Sequence, residues 1–314
     1  MTAPLCDEQT FIATWETSKT AREVSEKLGV GIRKVLTRRR RIEERLGISL
    51  RSLGGEAAAH WHPNTEHYIL DHPFTAVVFS DSHFWPDSMV DPSPALWILL
   101  EILQHIEPEI VIDNGDSFDG ATASRHPPHG WEDSPTVEEE LEANKTYHGI
   151  ISEAAGEADK RWVWGNHDRR FDARLATVLP QYKGVGGMSL PNHFPNWEFR
   201  TSMTLNEAVL VKHNWHNGIH AAHNNTLKAG VSMITGHTHR GRIIPHTDFT
   251  GTRYGIECPT LARIDGPQFS YGNENPANWQ SGFLIVQVDG SKIYPELVIM
   301  DGNAARWAGR TWRG

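Results

Sequence analysis

Cysteine is nearly absent: only Cys6 and Cys258 occur, far apart and outside any spaced pair. A disulfide framework and the Cys-based zinc and redox motifs are therefore excluded as sources of structure or chemistry. No stretch reaches the roughly 18 consecutive apolar residues that a membrane span needs. The first residues, MTAPLCDEQTF, lack a basic start followed by an apolar segment. The expectation is a soluble, cytoplasmic protein with no membrane partner. Cationic excess is missing too, since 30 Lys and Arg face 39 Asp and Glu, for a net charge of −9. That balance argues against a general nucleic-acid coat. There is no internal repeat and no low-complexity tract.

Histidine and tryptophan are plentiful, at 18 and 12 in 314 residues. The charge is also unevenly spread. Residues 1–51 hold eleven Lys and Arg against seven Asp and Glu, so they carry +4 and the remainder −13. From Asp7 to Leu50 there is no proline, and apolar residues fall at helical spacing. Phe11, Ile12 and Trp15 mark a first helix. Thr20 and Glu23 form a capping box that opens a second, with Val24 and Leu28. After the turn Gly29-Val30-Gly31, a third helix carries Ile32, Val35, Leu36, Ile42 and Leu46. Its basic residues Arg33, Lys34, Arg38, Arg39, Arg40 and Arg41 are candidate DNA contacts. The segment resembles a helix-turn-helix with a basic third helix. The alternative is a small unit for oligomerisation or for packing on the rest of the chain.

Residues 52–73 read as a linker rich in Gly, Ala, His and Pro. Beyond them strands and helices alternate. Strands are expected at 74–80, 109–114, 161–164, 197–203, 208–212 and 231–235, and helices at 94–106, 136–155, 171–179 and 219–229. The last part is strand-rich, at 242–245, 255–258, 283–288 and 294–300. The expected organisation is a domain at 1–51, the linker, a catalytic domain at 74–300 and a tail at 301–314.

Five short segments in the second domain carry chemistry: Asp81-Ser82-His83, Gly115-Asp116-Ser117-Phe118-Asp119, Gly165-Asn166-His167-Asp168, His213, and Gly236-His237-Thr238-His239. Four of them directly follow a strand-forming run, where an α/β fold places its ligands. At positions i and i+2 of an extended backbone, Asp81 and His83 would point the same way. Asp116 has two carboxylate oxygens and so can bridge two cations. The donors suffice for two mixed N/O sites, which suit Mn²⁺, Zn²⁺, Fe or Ni²⁺ over Ca²⁺. Any one segment alone is a common surface or turn pattern, but five in this order and context are not.

This ordered set resembles the calcineurin-like metallophosphoesterase superfamily, over about residues 74–300. The layout, including Asn278-Trp279-Gln280-Ser281-Gly282-Phe283, is similar to members from tailed phages and prophages, which implies the cytoplasm of a bacterial host. The resemblance implies a four-layer α/β/β/α sandwich with a dinuclear centre at the carboxyl ends of the strands. Asp81, His83, Asp116 and His239 would hold one metal, and Asp116, Asn166, His213 and His237 the other, with manganese the expected ion. His167 would be the catalytic imidazole and Asp168 its orienting partner, unless Asp168 is an N-cap. Two cations so placed can activate water and polarise a phosphate oxygen, while an imidazole serves the leaving oxygen.

His213 is not followed by the glycine usual in the family, and His216 is its rival. Asp119 either orients a ligand or belongs to a turn. Arg125, His126, Arg170, His216 and Arg240 are candidate substrate contacts, each with a solvated surface role as the alternative. The expected function is hydrolysis of phosphodiesters by a DNA-directed nuclease or DNA-end phosphoesterase recruited by residues 1–51. The alternatives are a small-molecule phosphatase or nucleotide phosphodiesterase, and a non-enzymatic DNA-binding regulator.

Overall fold

A computed structural model describes residues 6–48, 50, 62–125, 133–272 and 277–314. The chain forms two compact units, residues 1–63 and 64–314.

In the first unit three helices form, α1 (Glu8–Thr17), α2 (Ala21–Lys27) and α3 (Ile32–Leu46). Asp7 caps α1 by accepting from the Thr10 amide, and Thr20 caps α2 by accepting from the Glu23 amide. Their shared core is Phe11, Trp15, Val24, Val35, Ile42 and Leu50. Two arginines of the basic run turn into this unit. Arg38 lies over the Phe11 ring and donates to the Cys6 carbonyl; Arg39 lies over Trp15, pairs with Glu43 and donates to the Leu50 carbonyl.

The second unit contains two sheets. The larger has eight strands: β2 (Phe74–Phe79), β3 (Ile110–Asp113), β4 (Asp159–Val163) and β5 (Glu198–Arg200) run parallel. The antiparallel strands β11 (Gly282–Asp289), β12 (Lys292–Asp301), β13 (Ala304–Trp307) and β14 (Arg310–Arg313) extend it from β2. The smaller sheet has the order β1-β6-β7-β8-β10-β9. Its strands are β1 (Thr65–Tyr68), β6 (Ser202–Leu205), β7 (Val209–Val211), β8 (Ser232–Thr235), β9 (Arg242–Asp248) and β10 (Gly251–Glu257).

Side chains alternate across the pleat and build a separate core on each face of the larger sheet. Ala76, Val78, Ile110, Ile112 and Val163 meet Met203, Leu205, Val209, Val211, Ile234 and Ile256 of the smaller sheet. Their neighbours Val77, Phe79, Val111 and Trp162 point the other way, against α4 (Pro94–Ile106) and α5 (Val137–Ala154). Ser93 and Pro94 open α4, and Thr136 with Glu139 forms a full capping box on α5. On the far face of the smaller sheet, α7 (Ala221–Ala229) packs on β8, β9 and β10. The layers are therefore helix, sheet, sheet, helix. The remaining helix, α6 (Arg169–Val178), follows β4.

Three expectations change. Part of the supposed linker is strand β1, whose Thr65 to Tyr68 pair in parallel with Ser202 to Leu205. The supposed tail is the hairpin β13–β14, and its Trp312 is buried in the helix-side core. The single strand expected at 197–203 is two, β5 and β6, lying in different sheets.

Candidate metal centre

The loops that follow β2, β3, β4, β7 and β8 meet above one end of the two sheets and hold the five segments. Hydrogen bonds beyond the strand ends knit them together. The amides of Asp81, His83 and Phe84 donate to the carbonyls of Gly115, Asp116 and Ser117, and the Gly236 amide donates to the His213 carbonyl. Glycine is needed where these loops cross. A Cβ on Gly165 would lie 2.0 Å from Asp116 Oδ1, and one on Gly236 would lie 2.0 Å from Ser80 Oγ.

The backbone at the site is unusual. Asp81, His83, Asp116, His237 and His239 have φ of 53°, 40°, 57°, 67° and 55°, a left-handed region that non-glycine residues seldom adopt. Asp81 and His83 thus reach the same place through two left-handed residues, and the extended i, i+2 geometry expected for them is not what forms. Such strain persists where the surroundings over-determine it, and it clusters at functional sites.

Six side chains gather as two triplets, Asp81 with His83 and His239, and Asp116 with His213 and His237, while Asp119 and His167 form a third group with His83. Within each triplet one ligand atom per residue lies within 4.8 Å of the others. Asp81 Oδ1 is 3.2 Å from His239 Nε2 and 4.0 Å from His213 Nε2, so it faces both triplets. Asp116 Oδ2 is 3.0 Å from His213 Nε2, and Asp116 Oδ1 accepts from the His167 amide at 2.7 Å. Two buried ring nitrogens, His83 Nε2 and His239 Nδ1, have no hydrogen-bond partner among the described residues, and a third, His213 Nε2, faces only carboxylate oxygens, those of Asp116 and Asp81. A buried polar atom normally has one, and a metal ion satisfies an imidazole nitrogen directly. The far nitrogens of two of these rings are held: His83 Nδ1 by Asp119 Oδ1 at 2.7 Å and His213 Nδ1 by the Asn114 carbonyl at 2.6 Å. That is the usual arrangement behind a metal-binding histidine. The residues fit divalent-cation binding.

The protonation states of Asp81, Asp116, His83 and His237 agree. Burial pushes Asp81 up, but His239 and His213 outweigh it and bring its pKa down to about 2. Asp116 is likewise raised by burial but ends well below the carboxylate range because of His213, His167 and His83. Burial lowers His83, and burial with the neighbouring His213 lowers His237, so both favour the neutral ring that ligation requires. His213 is opposed by burial but raised to about 10 by Asp116 and Asp81. A cation there would compete with that proton.

His167 is held beside the first triplet, its ring centroid 4.8 Å from that of His83. The carboxylate on its Nδ1 is Asp119, at 2.9 Å, and not Asp168. Asp168 is turned into the protein, where it accepts from the amides of Asp116, Phe118 and Gly165 and from Trp162 Nε1. It occupies the N-cap position of α6 without a side-chain cap bond. Its role in the structure is to tie the loop after β3 to the loop after β4. Arg170 donates to His167 Nε2 at 3.0 Å and to the Asp119 carbonyl at 2.9 Å. Burial would lower the His167 pKa, but the bond to Asp119 and the charges of Asp116 and Asp119 raise it overall. Asp119, raised by burial, ends below the usual carboxylate range through its bonds from His167 and His83.

Among the other candidates, Asn166 is exposed and accepts from Asn214 Nδ2 at 3.3 Å. His216 turns to Lys228 Nζ at 2.9 Å and joins neither triplet, whereas its rival His213 does. Arg240 is spent on the buried Glu257 carboxylate and the Gly218 carbonyl. Arg125 is exposed, and His126 lies outside the described residues.

Sequence patterns missed two supports. Glu140 is fully buried and accepts from the amides of Gly120 and Ala121 at 2.7 and 2.9 Å, fixing the chain just after Asp119. His148 stacks on Trp162 and meets Asp113 Oδ2 at 2.9 Å, while Asp113 Oδ1 holds the Gly115 amide. The helical period that buries Leu141, Asn144, Tyr147 and Ile151 also places Glu140 and His148 on the buried side of α5.

No family model matches the sequence. Two curated phage proteins are similar. The gene 54 protein of Mycobacterium phage L5 is 32% identical over 170 residues, which are 47% of this chain and 64% of that protein. The gene 54 protein of Mycobacterium phage D29 is 28% identical over 259 residues, which are 75% of this chain and 97% of that protein. The first match spans less than two thirds of the L5 protein's length. Among solved structures, Vps29 of Cryptosporidium parvum aligns with 78% of this chain and 97% of its own, at 12% identity and a TM-score of 0.41. Vps29 of Entamoeba histolytica, in a complex with Zn²⁺, aligns with 76% and 98%, at 14% identity and a TM-score of 0.41.

Proposed function

We propose that this protein is a dinuclear-metal-dependent phosphoesterase. The observation that carries the reading is the pair of buried triplets, Asp81/His83/His239 and Asp116/His213/His237, in which His83 Nε2 and His239 Nδ1 have no hydrogen-bond partner among the described residues and His213 Nε2 meets the Asp116 carboxylate. Asn166 is added as a further donor on the sequence pattern. Bound there, two divalent cations, with manganese the expected pair and zinc, iron or nickel the alternatives, would supply Lewis acidity to a phosphate ester and to the water that attacks it.

The chain's own residues supply the rest. Asp119 fixes the His167 tautomer by accepting from Nδ1, so Nε2 is the nitrogen that faces the reaction. Arg170 sits at that nitrogen, placed to meet a phosphoryl oxygen beside the leaving group that His167 serves. Asp168, Glu140 and Asp113 hold the loops that present these groups.

The bond attacked is proposed to be a phosphodiester, in DNA or at a DNA end, with the first unit as the recruiting element. Exposed Lys34 and Arg41 on α3 support this. Arg38 and Arg39 are engaged within their own unit and contribute to its stability instead. A diesterase or phosphatase acting on small molecules needs only the second unit.

The test is hydrolysis by the full-length protein with Mn²⁺, offered mono- and bis-p-nitrophenyl phosphate beside single- and double-stranded DNA. Metal-dependent turnover that falls at least a hundredfold in His167→Ala is the expected result. Absence of any metal-dependent hydrolysis refutes the proposal. Diester turnover with no DNA cleavage leaves the small-molecule form of it.

A further inference from the structure

Beside the metal ligand His237 lies a cleft of about 330 Å³ whose lining includes Asn217, Thr238, Arg240, Asn278 and Trp279. That is the size of a small-ligand site, yet it is not built to hold a phosphate. Its one guanidinium, Arg240, donates to Glu257 at 2.9 Å and to the Gly218 carbonyl at 2.9 Å, and the Thr238 hydroxyl donates to the same carboxylate at 2.6 Å. An occupant is left with a flat indole, the His237 ring and two exposed carboxamides, those of Asn217 and of Asn278, whose oxygen also accepts from Gln280 Nε2 at 3.3 Å.

The indole is held in place. Trp279 is half-buried, its ring 4.7 Å from the ligand His239 and 5.1 Å from Phe269. Its chain neighbour Gln280 donates its amide to the His239 carbonyl at 2.8 Å and accepts from the Gly241 amide at 3.0 Å. One part of the ring therefore rests on the metal centre and the rest borders the cleft. A fixed aromatic plane flanked by groups that donate and accept hydrogen bonds is the chemistry that recognises a nucleobase.

We propose that this cleft is a nucleobase subsite. The substrate is then a nucleotide phosphoester, its phosphate at the two triplets, its base stacked on Trp279, and its polar edge at Asn217 and Asn278. Water adds across one P–O bond, giving a nucleotide monoester and the released alcohol. The inference rests on the phosphoesterase reading and narrows its substrate class. The nucleotide could belong to a mononucleotide ester or to the end of a strand, which present the same chemistry to the cleft.

The experiment compares full-length wild type, Trp279→Ala and Trp279→Phe with Mn²⁺ on thymidine 5′-(p-nitrophenyl phosphate), methyl p-nitrophenyl phosphate and a single-stranded oligonucleotide. The readout is the ratio of kcat/KM for the nucleoside ester to that for the methyl ester. Loss of a stacked base corresponds to a fall of roughly five- to hundredfold in Trp279→Ala, with most of the ratio restored in Trp279→Phe. A ratio within twofold of wild type in Trp279→Ala, whatever the absolute rates, overturns the inference and leaves Trp279 as a support for His239. If wild type hydrolyses none of the esters, the phosphoesterase reading fails. The subsite is then judged by calorimetric binding of thymidine 5′-monophosphate: weakening in Trp279→Ala retains it, and absent or insensitive binding overturns it. The oligonucleotide arm separates the two sources, since a strand substrate gives a higher kcat/KM than the nucleoside ester.

Discussion

Replacing Asp119 by Asn tests whether one carboxylate coordinates both halves of the proposed chemistry. Asp119 Oδ1 accepts from His83 Nδ1 at 2.7 Å and from His167 Nδ1 at 2.9 Å. The first bond is buried and the second part-buried, both are charge-assisted, and bonds to a charged group contribute about 1.5–3 kcal/mol each against about 1 for neutral ones. Asn keeps an acceptor oxygen but loses the charge, and its amide places a donor toward Arg170 Nη1, now 3.8 Å from Asp119 Oδ2. Losing the charge-assisted part of two bonds amounts to about 1–4 kcal/mol in total, or roughly 5- to 900-fold. The loss should appear twice. Apparent Mn²⁺ affinity falls because His83 is a poorer and less oriented ligand, by about 10- to 100-fold. At saturating Mn²⁺, kcat/KM for bis-p-nitrophenyl phosphate falls further because His167 loses its partner. Metal titration by calorimetry and steady-state hydrolysis measure the two separately. Metal affinity and kcat/KM both within threefold of wild type would refute the shared role.

Three further outcomes are expected. Gly236→Ala forces a Cβ to within 2.0 Å of Ser80 Oγ; it should lose about 1–3 kcal/mol of stability and most of its metal affinity in urea and Mn²⁺ titrations, while Gly218→Ala, with nothing near its Cβ, changes neither. Burial, aided by the Asp119 charge, raises Glu140 to about 8 from 4.5. The folded state therefore keeps a proton that the unfolded state has released between those values, so this group's contribution to stability falls as pH rises through that window and is constant above it. Glu140→Gln loses one amide bond at every pH, but its urea-denaturation deficit relative to wild type should shrink by a few kcal/mol from pH 5 to pH 8, at about 1.4 kcal/mol per pH unit; a constant or growing deficit would contradict it. Chelation of a Mn²⁺-loaded sample should lower the melting temperature, since a ligand at a hundred times its Kd adds about 2.7 kcal/mol, and an unchanged melting curve would count against metal binding by the folded protein.

Much of the fold could be read from local pattern because its elements satisfy local rules. Pro94 to Ile106 carries its own cap, proline and apolar stripe, and it forms with those bounds. What escaped depends on partners distant in sequence. Residues 198–200 and 202–205 have one continuous strand character, and only pairing with β4 on one side and β1 on the other assigns them to separate sheets. The terminal hairpin did leave a local signal, since Ala308 and Gly309, with φ of 49° and 73°, form the tight turn that joins β13 to β14.

At the site, His83, His237 and His239 were visible because each follows a strand in a short recognisable motif, and His213 was preferred to His216 because it directly follows an apolar strand. Asp119 and Asp168 were visible as residues but not as roles. Two acids two or three positions from a candidate ligand look alike in sequence, and only the turn of α6 sends Asp168 to the amides of Asp116 and Gly165 and leaves Asp119 for His167. Glu140 is one of three consecutive glutamates, and only its place on the buried stripe of α5 distinguishes it from Glu138 and Glu139.

The left-handed backbone at Asp81, His83, Asp116, His237 and His239 sets chemical competence against durability. Each such residue costs about 1–2 kcal/mol that glycine would not, but a glycine there would also remove the bonds its side chain makes, such as those that Asp116 accepts from the His167 amide and Asp81 from the His237 amide. Selection for robustness alone would relax this backbone only at positions where the strain outweighs the bonds lost with the side chain.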